Sequence, residues 1–266
     1  MYTTLKPDDF RRHLGLSNDY QVEGVLLSGT WDLRANDEHI PFLVNALDKL
    51  GVEYEMTKFK DVETGHAHEI NIGNKHYWFV PVMGTAVMSV YAHIASVLGS
   101  KKNILIGVVG GLAPGIKPGD FILPTRIYGN DNALKYQPNN TDKYFYPNEK
   151  LYENLKLRLP INIKVWSGET TTCEVMLAET KDDVANWSRD GYLGVEMEGA
   201  MIFALSNYFS VPAAAIFTVS DNLIENETIL HNSYKLSKEK RHFSRNIQYE
   251  IAIRELLDIR EGAKHE

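Results

Sequence analysis

Residues 103–111, "NILIGVVGG", constrain the fold more than any other stretch of this chain. A strand with one face in water alternates polar and apolar residues; this one is apolar throughout and runs into glycines. It therefore reads as a strand covered on both faces. Two more runs behave alike: "GVLLSG" (24–29), which ends in a glycine turn, and "VPAAAIFTVSD" (211–221). Between them lie helical patterns. "IPFLVNALDKLG" (40–51) spaces Leu43, Leu47 and Leu50 on one face and stops at a glycine, and "VMSVYAHIASVLG" (87–99) is helical as well. Strands buried on both faces and alternating with helices predict a three-layer α/β fold on a mixed sheet.

The remaining segments fit that frame. "EYEMTKF" and "HEINIGNKHYWFVPV" alternate as strands, with Gly73-Asn74 as a hairpin turn. The polar, turn-rich stretch 128–150 is expected to be a long surface loop. Helices are expected near 151–158 and 181–190, a strand at "IKVWSG", and a further helix through Ala204. In the last helix Leu236, Phe243, Ile247, Ile251 and Leu256 are expected on one buried face. With no repeat, low-complexity tract or linker, residues 1–266 read as a single domain with an N-terminal extension over 1–21.

Composition excludes several classes of function. The net charge is −7 and no basic block occurs, so nucleic acid is not an expected partner. Cys173 is the single cysteine, which leaves no internal disulfide and no cysteine-based zinc site. The polar start and the lack of any run near about 20 apolar residues predict a soluble, cytoplasmic chain without a membrane partner. "GHAHE" holds a histidine pair without an evident third ligand and is expected on a solvated edge, so no metal site is predicted.

In open α/β sheets, ligands bind beyond the carboxyl ends of strands. "SGTWDLR", "GVVGGLAPG" and "TVSDN" fall there, which predicts one shared site. Gly107, Gly110 and Gly111 would let a ligand approach the main chain, or simply make a tight turn. They are not a dinucleotide fingerprint, because Pro114 and Pro118 break any following helix. Asp221, after Ser220, can be a carboxyl kept protonated by burial to serve as a general acid, or a turn residue. Arg34 suits an anion or a salt bridge to Asp32 or Asp37. Glu196 and Glu198, in "GVEMEGA", flank Met197 within an apolar stretch. A vicinal diol would satisfy a buried carboxylate there; a helix cap at Gly199 would explain at most one of the two acids.

Together, "GVVGGLAPGIKPGDFILPT", "GVEMEGAMIFAL" and "IFTVSDN", in this order, resemble the nucleoside phosphorylase/nucleosidase superfamily. That family holds purine nucleoside and uridine phosphorylases, methylthioadenosine/S-adenosylhomocysteine nucleosidase and AMP nucleosidase. The resemblance implies an α/β sandwich around a mixed, partly barrel-like sheet, assembled as a homo-oligomer (dimer, trimer or hexamer). It implies cleavage of an N-glycosidic bond in a nucleoside or nucleotide, without a cofactor. By matching position Glu198 would hold the ribose hydroxyls, with Glu196 in contact or in support. Met197 would pack on the sugar, Met88 and Ser89 would line it, and Gly110 and Ser220 would border the site. Asp221 would protonate N7 of a purine, and Gly29 and Arg34 would meet phosphate.

The departures bear on the nucleophile. Where phosphorylases of this family carry an arginine and a hydroxyl residue before the glycines, this chain has Leu105 and Val108, which cannot grip a dianion. The hydrolytic branches lack that arginine too. Hydrolysis is therefore favoured over phosphorolysis, with inorganic phosphate as the rival nucleophile. The methylthioadenosine nucleosidases carry a glutamate in the first strand-end loop, where this chain has Asp32, and the turn "GTAVMS" is shortened. A silent nucleoside-binding protein is the reading outside enzymes. "SGETTTCEV" contains none of the aromatics that members of this family often place over the base, so Tyr136, Tyr144, Phe145 or Tyr146 of the 128–150 loop is expected to supply a ring instead.

Overall fold

The apolar run at 103–111 forms the strand on which the whole sheet turns. The computed structural model describes residues 4–30, 35–59 (backbone alone for 35–37), 67–129 and 131–259. In chain order the elements are α1 (Pro7–His13), β1 (Val22–Gly29), α2 (Ala35–Lys49), β2 (Glu55–Lys58), β3 (His68–Ile72), β4 (Lys75–Val82), α3 (Thr85–Val97), β5 (Asn103–Gly111), β6 (Phe121–Tyr128), β7 (Tyr144–Phe145), α4 (Glu149–Leu157), β8 (Val165–Thr172), α5 (Lys181–Arg189), β9 (Gly194–Glu196), α6 (Gly199–Tyr208), β10 (Ala213–Asn222), α7 (Asn232–Leu236) and α8 (Lys238–Leu256).

β5 pairs in parallel with β1 on one side and β10 on the other, and its last two residues pair antiparallel with β9. From β5 an open sheet runs through β1, β4 and β3 to β2. In the other direction β9, β8, β6 and β10 return to β5 and close a five-strand barrel. Side chains alternate across a strand, and β5 uses both faces. Leu105 and Val109 enter a core with Met88 and Tyr91 of α3 and Phe203 of α6. Ile104 and Ile106 enter a second core with Leu43 and Leu47 of α2 and Ile251 and Leu256 of α8. Helices thus cover both faces, and the three-layer α/β fold with a mixed, partly barrel-like sheet is the observed one. Each fully buried aliphatic side chain contributes about 1.5–3 kcal/mol; the one polar residue of the run, Asn103, is buried at its start with its amide donating to Ser206 and accepting from Ser100. Gly107 is glycine because a Cβ there would stand 3.3 Å from the Gly29 carbonyl oxygen, where β1 passes closest.

Gly73 and Asn74 make the expected hairpin: Ile72 pairs with Lys75, and Gly73 takes φ 59°. Elsewhere the structure departs from the expectations. The 128–150 stretch is not simply a surface loop, because β7 pairs back on β6 with Ile127 opposite the buried Phe145, and Asn148 caps α4. The buried face predicted for the last helix fails in its first half. Leu236 belongs to α7 and is exposed, as is Phe243, and the helix restarts at Ser237. The buried face is instead partly polar. Gln248 donates to the carbonyls of Gly107 and Ile216, Ser244 to that of Gly119, and Glu255 accepts from Asn154 and Arg158. Buried polar groups paired in this way cost little. His68 is buried on β3, not on a solvated edge; His66 lies outside the described residues. Among the described residues no cluster of His, Cys, Asp and Glu could hold a metal ion, and no helix is long and apolar enough to cross a membrane.

Candidate active site

α6 starts at Gly199, and the two glutamates before it have separate tasks. Glu198 occupies the cap position, yet its side chain makes no capping bond. Glu196 caps instead: its Oε2 accepts the N–H groups of Glu198 (2.7 Å) and Gly199 (2.5 Å). Its Oε1 accepts the Thr172 hydroxyl, and that hydroxyl oxygen accepts the Ala200 N–H. Burial raises the pKa of Glu196, against the pull of these three donors. Both of its oxygens are engaged by the protein, which favours the supporting role.

Glu198 is turned the other way. Its Oε1 accepts the Gly84 N–H (2.6 Å), and its Oε2 lies 2.5 Å from where a Cβ on Gly29 would be. Only glycine at position 29 leaves that carboxylate its place. Burial, and secondarily the charge of Glu196, push its pKa up to about 8, while the Gly84 and Met197 backbone groups pull it down. Two backbone donors leave the carboxylate, with about four lone-pair sites, capacity to accept hydroxyls. Gly84 itself takes φ 83° at the start of α3. One turn into that helix Met88 is wholly buried in the core, and Ser89 donates back to the Ala86 carbonyl. Met197 is half-buried between the two glutamates.

Asp221 sits at a bulge. β10 keeps register with β5 up to Val219, then Asp221 pairs with Gly110 and Ser220 is the extra residue. Bulges of this kind re-aim side chains at the ends of strands. The Ser220 hydroxyl bonds to Asp221 Oδ1 and stands 3.2 Å from the Val109 carbonyl. Burial raises the Asp221 pKa; Ser220 and the charge of Arg241 work against it. Asn222 donates to the carbonyls of Ala113 and Ile116 and so ties the glycine-rich turn to the end of β10. Gly110 pairs with both Asp221 and Val195, and the space beside its Cα is filled by Leu223. The acid of β10 and the glutamates of β9 are therefore brought together across β5.

Arg34 and Asp32 lie outside the described residues. Gly29, expected near phosphate, has the Glu198 carboxylate against it. Leu105 is wholly buried and Val108 half-buried. Of the four aromatic candidates, Tyr144 comes nearest the site: with Tyr128 and Tyr192 it joins the cluster of Leu112, Val195, Cys173 and Leu223. Phe145 is in the core, and Tyr136 packs on Tyr208, Phe209 and His93. Tyr146 lines a cavity of about 430 Å³ at the amino end of β10, which contains none of these carboxylates. Sequence reasoning missed Gly84 and Thr172, whose partners Glu198 and Glu196 are distant in the chain.

A family model described as the phosphorylase superfamily matches residues 35–245. The chain belongs to the phosphorylase superfamily. Among family members, a DeoD-type purine nucleoside phosphorylase of Clostridium novyi is 30% identical over 150 residues, 54% of this chain and 63% of that protein. A DeoD-type enzyme of Clostridium beijerinckii is 27% identical over 184 residues, covering 66% of this chain and 73% of its own length. The match to the first of these thus spans less than two thirds of its length. In fold the chain is similar to uridine phosphorylase of Vibrio fischeri, with a TM-score of 0.72, 13% identity, and 97% and 100% of the two chains covered. It is also similar to 5'-methylthioadenosine/S-adenosylhomocysteine nucleosidase of Helicobacter pylori, with a TM-score of 0.64, 18% identity, and 90% and 99% covered.

Proposed function

We propose that this chain cleaves the N-glycosidic bond of a purine nucleoside or nucleotide and releases the free base, with water favoured over phosphate as nucleophile. The observation that carries the first part is Glu198, a buried carboxylate held at one oxygen by Gly84 and left with accepting capacity at the other. Ribose hydroxyls would complete it. As the bond to the base breaks, positive charge grows on the sugar and electron density on the base. Glu198, ionised above its raised pKa of about 8, favours the first and a protonated Asp221 at N7 the second. Ser220 and the bulge fix the direction of that acid.

Water is favoured because β5 presents Leu105 to the core and Val108 toward its end, and neither can make charge-assisted bonds to a dianion. Phosphorolysis is the second reading, supported by the Clostridium relatives, which are purine nucleoside phosphorylases, and by Arg34. Offering a panel of nucleosides and nucleotides with and without inorganic phosphate, and following free base, separates the two. Release without phosphate, giving free ribose, is expected; strict phosphate dependence with ribose 1-phosphate as product overturns the preference for water.

Gly29→Ala tests the sugar site. The added methyl collides with the end of the Glu198 side chain, which can swing away, so the fold is expected to survive. Displacing a positioned group by about 1 Å costs on the order of 100-fold in rate. A kcat/KM drop near that size with a melting temperature close to wild type is the expected result; unchanged kinetics would detach Glu198 from the reaction.

A further inference from the structure

Behind Gly29, three polar side chains are buried in the core that α2 and α8 form against the sheet. Ser28 of β1, His39 near the start of α2 and Tyr249 of α8 are each almost wholly buried. The Tyr249 hydroxyl lies 2.5 Å from His39 Nδ1 and 3.1 Å from Ser28 Oγ, and Ser28 Oγ lies 3.0 Å from His39 Nδ1. The rings around them are apolar: Phe42 stacks on Tyr249 at 5.6 Å, and Phe79 meets it edge-on at 6.0 Å. Burial raises the Tyr249 pKa, so its hydroxyl keeps the proton and can donate. Apolar groups of the same shape would fill this space at little or no cost, so core stability alone does not call for the trio. A satisfied buried network instead fixes one arrangement of the elements that carry it.

That arrangement bears on Glu198. Successive side chains of a strand point to opposite faces. Ser28 faces Tyr249, and the next residue, Gly29, faces the Glu198 carboxylate, whose Oε2 lies 2.5 Å from where a Cβ on Gly29 would be. Ser28 precedes the connection from β1 to α2 and His39 follows it, so the trio ties that connection at both ends. Gln248, next to Tyr249 on α8, donates to the carbonyls of Gly107 on β5 and Ile216 on β10. Adjacent residues of α8 thus hold β1 and β5 where Gly29 and Gly107 bring them closest. We infer that Tyr249 and Ser28, with His39 between them, are positioning residues for the sugar. They fix the tip of β1 so that Gly29 seats Glu198 for two ribose hydroxyls, and so set a preference for ribose over 2'-deoxyribose, an assignment that rests on the bond-cleavage reading above. A misplaced carboxylate forfeits two hydroxyl bonds on ribose but one on 2'-deoxyribose, so the ratio between the sugars reports its position.

The test compares kcat/KM for adenosine and inosine with that for their 2'-deoxy counterparts, and binding of the same nucleosides by calorimetry. The proteins are wild type, Tyr249→Phe, Ser28→Ala, the double variant and Lys49→Ala. Tyr249→Phe keeps the ring packing and leaves Ser28 and His39 paired with one another, so the fold is expected to survive. Lys49→Ala is the control, since it breaks a different contact of α2 with α8, the 2.5 Å pair with Glu250. Wild type is expected to favour ribose by about 10–100-fold, the worth of one hydrogen bond to a charged group. Each single variant is expected to lower that ratio by about tenfold, as a small displacement of a positioned group does. The double variant is expected to lose no more than either, because all three interrupt one network. A merely structural role would lower both sugars alike, or move the ratio as much in Lys49→Ala. Either result overturns the inference, as does a wild type blind to the 2'-hydroxyl. If the ribose preference appears in binding and follows Tyr249 while no nucleoside is cleaved, the bond-cleavage reading fails and the positioning role stands. If nucleosides are cleaved and the ratio ignores Tyr249, the reverse holds.

Discussion

Asp221→Asn is expected to lower kcat by about 10²–10⁴-fold, the range a positioned general acid supplies, while nucleoside binding changes little. The asparagine keeps the size of the side chain, and its carbonyl oxygen can still accept from Ser220, so the bulge at the end of β10 has no reason to rearrange. What is lost is the proton. An amide N–H can hydrogen-bond N7, which preserves affinity, but it cannot transfer a proton to the departing base. The wild type is expected to lose kcat as pH rises through the Asp221 pKa, which burial has raised, because the acid must be protonated to act. The variant should lack that alkaline limb. Stopped-flow or steady-state release of base over a pH series, with binding followed separately, measures both. A variant whose kcat is unimpaired removes Asp221 from the acid role, and one that loses binding and rate in equal measure makes it a recognition group instead.

Much of this architecture is legible in the sequence wherever a local pattern has a single physical solution. The run at 103–111 can only be a doubly covered strand, and β5 feeds both cores accordingly. Gly73-Asn74 between alternating strands can only be a tight turn. The glutamate pair shows where such reading stops. Two carboxylates one residue apart look alike on paper, and the sequence left Glu196 open between contact with the sugar and support of Glu198. Their difference depends on Thr172 from β8 and Gly84 from the loop before α3, both distant in the chain. In the last helix the apolar positions suggested one face. The buried one instead carries Ser244, Gln248 and Glu255, because their partners on β5, β10 and α4 satisfy them. Hydrophobic periodicity cannot register a polar residue that is buried by pairing.

Glu198→Gln should separate function from stability in opposite directions. In the wild type the folded state raises the Glu198 pKa from 4.5 to about 8, so the fold binds this proton more tightly than the unfolded chain does. Stability from this group is therefore complete below about pH 4.5. It falls as pH rises through the window and is fully lost above about 8, with a slope of at most about 1.4 kcal/mol per pH unit. Glutamine cannot ionise, yet its carbonyl oxygen can keep the Gly84 bond and its size keeps the contact with Gly29. Relative to wild type, the variant is expected to melt similarly at pH 4.5 and on the order of 10 °C higher at pH 8, at about 2–4 °C per kcal/mol for a chain of this size. Its kcat/KM is expected to fall by about 10²–10³-fold, because an amide does not stabilise positive charge on the sugar as a carboxylate does. Melting curves from pH 4.5 to 8.5 beside base-release kinetics give both quantities. Parallel pH–stability curves for the two proteins would mean that Glu198 does not carry the proton. Under the proposed function, a carboxylate kept where it costs stability at neutral pH is expected to be retained for turnover, the stability–activity trade-off of a site built around a sugar diol.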